Sequence, residues 1–464
     1  MEAVFLAAGC GSRMSVDGHD HKALRDLMGM PILERGIRAF RTVGVRRFTI
    51  VVGHAAELIE EAIGDGSRLG VEVRYARNED WELGNGISLY AARDMVDGER
   101  FVLAMADHWF VPAMARLLLE RAAEDERSLL CVDLDASSVW NLDDATKVRI
   151  GADGAVIEVG KDLPDFDAID CGLFVCSREV FPALERAFAE GEYELSAAMR
   201  RLEGQAGLAA VPIDGRLWED VDTETAFRGA LRKLRNSLHS RDEGVVSRFL
   251  NRPISLRLSS LAIKASLTPN MLSVIAFVLA IAAGVGFGFG WLIPAAILTQ
   301  IVSVVDGSDG EVARARFMTS CWGGMMDSML DRVADAAIVG GIGLFLLQGE
   351  AHWWEIVPVI AVLAGAPMSM MAKDRFAIAT GRQWVAGSSD GVGRYLLAGR
   401  DGRLFIIFLG GVSGQLVPAL WYIGVVSALL LMWRMLQMWR QLRPTGAIRA
   451  TAGTPRRKVD VIAK

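Results

Sequence analysis

Cysteine is scarce in this chain: five in 464 residues, at Cys10, Cys131, Cys171, Cys176 and Cys321, with no CxxC pair. An odd, scattered set excludes a disulfide framework and fits small thiols kept reduced on the cytosolic side. A basic leader is also missing. Met1-Glu2-Ala3-Val4-Phe5-Leu6 runs straight into a glycine loop, which predicts an internal strand left in the cytoplasm rather than a signal peptide. Charge is absent from Ala265 to Val305, a run of 41 residues. One bilayer crossing needs about 20 apolar residues, so that run predicts two crossings. Positive charge is in deficit before residue 231, with 25 Lys/Arg against 42 Asp/Glu, and in excess after it, with 25 against 14. A mean hydropathy of +0.29 beside an ordinary 23% of charged residues fits a soluble part joined to a membrane part. Disorder and collagen are excluded, and the length predicts two or three domains.

The turn inside the uncharged run falls near Gly286-Phe287-Gly288-Phe289-Gly290-Trp291, where glycines break the pattern and Trp suits interface depth. Further apolar stretches lie near 323–347, 354–377, 393–412 and 415–437, which makes six helices. Basic residues in Arg232–Lys264, Lys373–Arg403 and Arg434–Lys458 would share one side. The positive-inside rule then places both termini, and the active sites, on the cytoplasmic side of a multi-pass inner membrane protein. The tail around Arg456-Arg457-Lys458 reads as a solvated anchor beside anionic headgroups.

Residues 1–231 read as a cytosolic α/β domain with a mostly parallel, Rossmann-like sheet covered on both faces. Short apolar runs (Ala3–Leu6, Phe48–Val52, Val71–Tyr75, Phe101–Met105, Leu129–Val132) alternate with helical patterns at Pro31–Thr42 and Ala55–Ile63. Residues 232–265 form a basic linker in which Phe249, Ile254, Leu258, Leu261 and Ile263 stand among arginines, as in an interfacial amphipathic helix. Residues 266–440 form the all-α transmembrane domain, and 441–464 a basic cytosolic tail.

Ionisable residues inside a membrane segment are costly and mark function. Nine charged residues crowd between 306 and 335. They spell Asp306-x-x-Asp309-Gly310-x-x-Ala313-Arg314, eight residues, then Gly323-x-x-x-Asp327-x-x-x-Asp331. Asp306 and Asp309 are i, i+3, and Asp327 and Asp331 are i, i+4, so each pair shares a helix face. Four converging carboxylates need cations, and oxygen donors select Mg²⁺ or Mn²⁺, as a pair that would clamp a phosphoryl displacement. Gly310 and Gly323 leave room for a phosphate or nucleotide. This spacing resembles the signature of the CDP-alcohol phosphotransferase family at every position, over roughly residues 240–440. The resemblance implies a six-helix membrane enzyme, usually dimeric, that transfers a phospho-alcohol from a CDP-alcohol to a hydroxyl and releases CMP. It implies that Asp306, Asp309, Asp327 and Asp331 hold metal, that Gly310, Arg314 and Gly323 flank the nucleotide, and that Asp331 is the candidate base.

In the first half, a strand leads into Leu6-Ala7-Ala8-Gly9-Cys10-Gly11-Ser12-Arg13-Met14, where bare N–H groups and an arginine suit phosphates, and Lys22 follows. A second strand ends at Asp107-His108, at the carboxyl edge where open α/β sheets bind ligands. A third acidic point is Trp218-Glu219-Asp220-Val221-Asp222. His19 and His21 read as solvent-exposed loop residues. Together these motifs resemble the sugar-1-phosphate nucleotidyltransferase family, although Lys22 is followed by Ala23 where the family usually has proline. The resemblance implies that Asp107 and Asp222 hold Mg²⁺ and that Gly9, Gly11, Ser12, Arg13 and Lys22 hold the nucleoside triphosphate, with Arg13 and Lys22 catalytic. Asn85-Gly86, within Asn78–Ser88, resembles a nucleotide and substrate loop of one branch, while Lys147 and Lys161 would face the substrate phosphate.

A nucleotidyltransferase can make the CDP-alcohol that the other half consumes. The fusion resembles the family of bifunctional inositol-1-phosphate cytidylyltransferases and di-myo-inositol-phosphate-phosphate synthases. That implies CTP and inositol-1-phosphate as substrates, CDP-inositol as intermediate, a soluble compatible-solute precursor as product, and a homodimer through the membrane domain. Lys373, Arg375, Arg382, Arg394 and Arg400 are candidates for the acceptor phosphate, and membrane anchoring explains them as well. A phospholipid synthase with a lipid acceptor, another alcohol such as choline, and a transporter or anchor role for the membrane half stay open.

Overall fold

The computed structural model describes residues 1–10, 21–139, 141–202, 207–238, 244–382, 384, 389–391 and 395–442. Two compact units emerge. The first comprises Met1–Ser240, Ser255–Leu272 and Ser308–Gly324; the second comprises Arg241–Ile254, Ser273–Gly307 and Met325–Lys464.

Eleven strands lie in the first unit: β1 (Ala3–Ala7), β2 (Arg47–Val52), β3 (Glu72–Arg77), β4 (Arg100–Met105), β5 (His108–Phe110), β6 (Ser128–Asp133), β7 (Lys147–Ile150), β8 (Val156–Gly160), β9 (Ala168–Ser177), β10 (Leu208–Pro212) and β11 (Trp218–Asp220). The main sheet runs β10-β6-β9-β4-β1-β2-β3. Strands β1 to β4 are parallel neighbours, as the helical patterns between them require. The expectation of a mostly parallel sheet needs one amendment, because β9 is antiparallel to both β4 and β6. The chain reaches β9 through the β7–β8 hairpin, and no crossover helix is there to return it in parallel.

Both faces of the sheet are covered. Along β1, Ala3, Phe5 and Ala7 enter one core while Val4, Leu6 and Ala8 enter the other, as period-two alternation dictates. The flanking helices are α1 (Ile32–Thr42), α2 (Ala56–Ile63), α3 (Asn85–Ala91), α4 (Pro112–Ala122), α5 (Val180–Ala189), α6 (Leu195–Met199) and α7 (Glu224–Ser237). Thr223 caps α7, its side chain accepting the Ala226 N–H at 3.1 Å.

Beyond α7 comes a single π-turn (Ser247–Asn251) that runs into α8 (Arg252–Lys264). Of the apolar residues expected on this amphipathic segment, Phe249, Ile254 and Leu261 are exposed, whereas Ile263 is buried. Ile263 joins Leu27, Ile32, Trp109, Val221, Leu234, Val312 and Ala315 in a third core of the first unit. Arg35 pins this core. Its buried guanidinium donates to the carbonyls of Leu27, of Met28 at 3.2 Å and of Ala315 at 2.8 Å. Burial without a carboxylate against it lowers its pKa to about 10.

The helical region continues with α9 (Pro269–Gly288), α10 (Leu292–Ala315), α11 (Cys321–Gln348), α12 (Trp353–Thr380), α13 (Arg400–Ser413) and α14 (Leu416–Leu442). Among the described residues, α9, α10, α12 and α14 are long and apolar enough to cross a membrane by length and composition. Helix α11 carries Asp327 and Asp331 of the motif, with Arg332 and Asp335 beside them. Helix α13 has 14 residues, about 21 Å at 1.5 Å per residue, against about 30 Å of hydrocarbon. Residues Ala283, Phe287, Val302, Ile338, Ile342, Leu404 and Leu420 form the core of the second unit. Helices α9 and α11 touch backbone to backbone there, because a Cβ on Gly284 would lie 2.7 Å from the Ala337 carbonyl carbon and one on Gly341 would strike Gly284.

Replacing Arg35 with Met keeps the aliphatic stem but deprives the buried carbonyls of Leu27 and Ala315, and the half-buried one of Met28, of this donor. At about 1–3 kcal/mol per unsatisfied buried group, Arg35→Met should cost about 3 kcal/mol or more. Thermal unfolding in detergent should show the loss as a fall in Tm of several degrees.

Candidate active sites

The first site is built by chain ends that the sheet delivers to one edge. β5 and β11 pair antiparallel, with His108 opposite Asp220, and the Val221 N–H donates to the Asp107 carbonyl at 3.2 Å. This ribbon brings Asp107 and Asp222 together although 114 positions separate them. Its base is fixed from behind. Trp218 Nε1 donates to Asp133 at 2.8 Å, and Lys233 on α7 reaches buried Glu219 at 2.7 Å. The Lys22 ammonium bridges the two acids, contacting Asp107 and lying 3.2 Å from Asp222.

Electrostatics follows from that contact. Burial pushes the Asp107 carboxyl up, but Lys22 and then His108 outweigh it and hold the pKa at about 2. Burial and then Asp220 push Asp222 above the usual carboxylate range. His108 Nδ1 donates to the Cys171 carbonyl at 2.9 Å, and Nε2 faces Asp220 at 3.4 Å. Burial lowers its pKa, yet Asp220 and then Asp107 raise it to about 10. Oxygens of Asp107 and Asp220 and a ring nitrogen of His108 lie within 4.8 Å of one another. A cluster dominated by carboxylate oxygens fits a hard divalent cation.

A cavity of about 260 Å³ opens beside these groups, lined by Gly9, His21, Lys22, Trp81, Asn85 and Asp107 among others. The expected loop residues Gly11, Ser12 and Arg13 lie outside the described residues, as does His19. His21 departs from expectation. It is only 3% exposed, because its ring turns inward to accept the Ala23 N–H. Asn85 and Gly86 take part in packing: Asn85 Oδ1 accepts the Leu195 N–H at 2.7 Å, and Gly86 donates its own N–H to the Tyr193 carbonyl at 2.9 Å. A Cβ on Gly86 would lie 2.5 Å from that carbonyl oxygen. Lys147 and Lys161 lie together on the β7–β8 hairpin, where Lys147 Nζ donates to the Lys161 carbonyl at 2.7 Å and Lys161 pairs with Asp144 at 3.2 Å.

The second site sits where the end of α10 and the start of α11 carry the acidic motif. Oxygens of Asp306, Asp327 and Asp331 fall within 4.8 Å of one another. Arg400, at the start of α13, bridges Asp306 at 2.5 Å and Asp331 at 2.9 Å. Three hard oxygen donors again fit Mg²⁺ or Mn²⁺. Asp309, one turn along α10, is buried with its carboxylate against the Gly310 N–H. Arg314 donates to the Leu238 carbonyl at 2.8 Å, and a Cβ on Gly310 would lie 3.1 Å from its guanidinium. Ser320 Oγ accepts the Gly323 N–H at 3.0 Å, which caps the start of α11.

One acid was not anticipated. Asp335 continues the Asp327–Asp331 stripe by one further turn, and that i+4 spacing was the available signal. It accepts from Arg400 Nε at 3.1 Å, Arg403 at 2.9 Å and Arg332 at 3.5 Å. Of the basic residues considered for an acceptor phosphate, Arg400 lies against these acids, and Arg394 lies outside the described residues.

Fold and sites together define a two-domain transferase, a nucleotidyltransferase followed by a CDP-alcohol phosphotransferase. Residues 3–211 match the MobA-like NTP transferase domain, and residues 266–394 match the CDP-alcohol phosphatidyltransferase family. A bifunctional IPC transferase and DIPP synthase from Thermococcus kodakarensis is 37% identical over 379 residues, 81% of this chain and 82% of the relative. Its namesake from Rubrobacter xylanophilus is 36% identical over 432 residues, 92% and 93% of the two chains. The solved inositol-1-phosphate CTP transferase from T. maritima is 25% identical with a TM-score of 0.44, covering 50% of this chain and 95% of its own. The chain belongs to the family of bifunctional IPC transferases and DIPP synthases.

Asp335 meets the cluster through Arg400, which also pairs with Asp306 and Asp331, and is held by Arg403 and Arg332. Asp335→Asn should therefore lower CMP release from a CDP-alcohol about tenfold, equivalent to about 1.4 kcal/mol, while leaving nucleotidyl transfer by the same preparation unchanged.

Proposed function

We infer that the first site joins CTP and inositol-1-phosphate into CDP-inositol, and that the second transfers phospho-inositol from CDP-inositol to a second inositol-1-phosphate. The observation that carries this reading is the pair of separate carboxylate clusters, one per unit, in a chain whose relatives bear both activities in their name. In the first reaction a phosphate oxygen of inositol-1-phosphate forms a bond to the α-phosphorus of CTP, and the bond to pyrophosphate breaks. Little covalent work falls to the protein, so alignment and charge screening dominate. Lys22 supplies a movable point charge beside Asp107 and Asp222. In the second reaction an acceptor hydroxyl attacks the inositol-bearing phosphorus of CDP-inositol and CMP leaves. The product, di-myo-inositol phosphate phosphate, keeps the acceptor's own phosphate and is soluble.

Asp107 and Asp222 would hold a divalent cation in the first site, and Asp306, Asp327 and Asp331, with Asp309, would hold a pair in the second. Bound there, Mg²⁺ or Mn²⁺ would screen the charge on the attacking and leaving oxygens. Asp331 is our candidate to accept the hydroxyl proton. Gly9 and the loop with Gly11, Ser12 and Arg13 would cradle the triphosphate, and Gly310 and Gly323 would admit the CDP moiety.

We also read all six helices as membrane-embedded, with both termini and both sites on the cytoplasmic side and a homodimer formed through the helical domain. The four long apolar helices support the membrane reading, as does the exposure of Phe249, Ile254 and Leu261 among basic residues of the sequence.

The test uses the full-length chain in detergent or proteoliposomes. CTP and inositol-1-phosphate with Mg²⁺ should release pyrophosphate, and CDP-inositol with inositol-1-phosphate should release CMP, the labelled product staying in the aqueous phase. Asp107→Asn or Asp222→Asn should reduce the first reaction by about a hundredfold or more, about 3 kcal/mol, and spare the second. Asp306→Asn or Asp331→Asn should do the reverse. CMP release that survives Asp331→Asn overturns the second assignment, and label in the lipid phase overturns the soluble acceptor.

A further inference from the structure

Asp401 follows Arg400 in the chain, yet it binds a different element. Its carboxylate accepts the Ser247 N–H at 2.8 Å. It is packed between two glycines, since a Cβ on Gly244 would strike it and one on Gly399 would lie 2.7 Å away. Asn251 fastens the same segment further on. Its Nδ2 donates to Ser303 Oγ at 2.9 Å, and its Oδ1 accepts from Gln300 Nε2 at 2.7 Å. Ser303 precedes Asp306 by three positions, so the two share a face of α10. Gly244–Ile254 is thus a strap within the second unit. One end is tied beside Arg400 and the other one turn from Asp306, and those two residues pair in the second site.

The outer side of the strap has another character. Val246 and Asn251 are buried, whereas Phe249, Leu250 and Ile254 are 74%, 44% and 53% exposed. The exposed Arg248 guanidinium lies 5.6 Å over the Phe249 ring, so charge and apolar body share that side. No Asp or Glu occurs from Gly244 to Val305, and Arg248, Arg252, Arg257 and Lys264 carry all the charge of that stretch. Apolar side chains beside a guanidinium, leading into the apolar helix α9, fit a surface of anionic headgroups. Resting on the phosphotransferase reading, we propose that Asp401 is a positioning residue through which the strap, seated on an anionic lipid surface, holds Arg400 in the second site. Seating fixes Ser247, the Ser247 N–H holds Asp401, and the first turn of α13 cannot shift without breaking that bond. On a neutral surface the fastened arrangement loses this support, and Arg400 spends less time against Asp306 and Asp331.

The test compares the full chain in neutral detergent, in phosphatidylcholine proteoliposomes and in phosphatidylglycerol proteoliposomes. Each rate of CMP release from CDP-inositol is divided by nucleotidyl transfer in the same preparation, which corrects for folding and orientation. Phosphatidylglycerol should raise that ratio about tenfold over either neutral surface. Phe249→Ser combined with Leu250→Ser should abolish the rise, and so should Asp401→Ala or Gly244→Ala. Asp401→Asn, whose amide oxygen can still accept the Ser247 N–H, should stay within about twofold of the parent. Adding Asp401→Ala to the Phe249 and Leu250 pair should cost no more than either change alone, because both act on one linkage. Equal ratios on all three surfaces overturn the proposal, as do losses that add in the combined variant or an Asp401→Asn chain as impaired as Asp401→Ala. A rise with phosphatidylcholine equal to that with phosphatidylglycerol overturns the anionic surface. A parent chain that releases no CMP on any surface would instead overturn the phosphotransferase reading.

Discussion

Carboxylates gathered at one point repel one another, and both sites in this protein depend on a cation placed between them. Two unit charges about 5 Å apart cost about 3 kcal/mol at an effective dielectric of about 20. Each cluster meets that cost with a basic side chain drawn from elsewhere in the chain. Lys22 stands between Asp107 and Asp222, and Arg400 stands between Asp306 and Asp331. A lysine and an arginine suit their places differently. The Lys22 ammonium is a compact charge on a flexible stem, whereas the Arg400 fork reaches Asp306 and Asp331 through one nitrogen and Asp335 through another. Convergent acids bridged in this way are what hard divalent cations also neutralise, so the same geometry underlies structure and proposed chemistry.

Much of the remaining architecture serves to bring these acids together. In the first unit the β5–β11 ribbon sets the register, and Trp218, Asp133, Glu219 and Lys233 hold it from behind. In the second, glycines at 284 and 341 let α9 and α11 approach closely. Val302 and Asp306 belong to the second unit, whereas Val312, Arg314 and Ala315 belong to the first, with Ala315 bound by Arg35. Within the first unit, buried Glu311 accepts hydrogen bonds from Ser255 and Ser259 of α8 at 2.7 and 2.6 Å.

Local pattern made a large part of this legible. Strand positions followed from short apolar runs, and α1, α2 and the long apolar helices from periodicity and uncharged length. The acidic motif was legible because i, i+3 and i, i+4 spacing fixes a helix face whatever surrounds it. Less legible were groups whose meaning depends on a distant partner. Asn85 and Gly86 carried the pattern of a nucleotide loop; Asn85 lines the cavity of the first site, and its Oδ1 and the Gly86 N–H also bind the Tyr193–Leu195 segment. His21 looked like a polar loop residue until its ring proved buried.

By itself, then, the sequence determined the partition into an acidic α/β half and a basic helical half, the faces on which the acids lie, and the family resemblance of each motif. Those are properties of composition and spacing, which act over a few residues or sum over many. Only the tertiary structure decided the antiparallel course of β9, the pairing of Lys22 and Arg400 with their acids, the arginines gathered on Asp335, and the burial of His21. Each of these depends on which side chains meet across long sequence separations, and that is set by packing and by the need to pair every buried charge and donor.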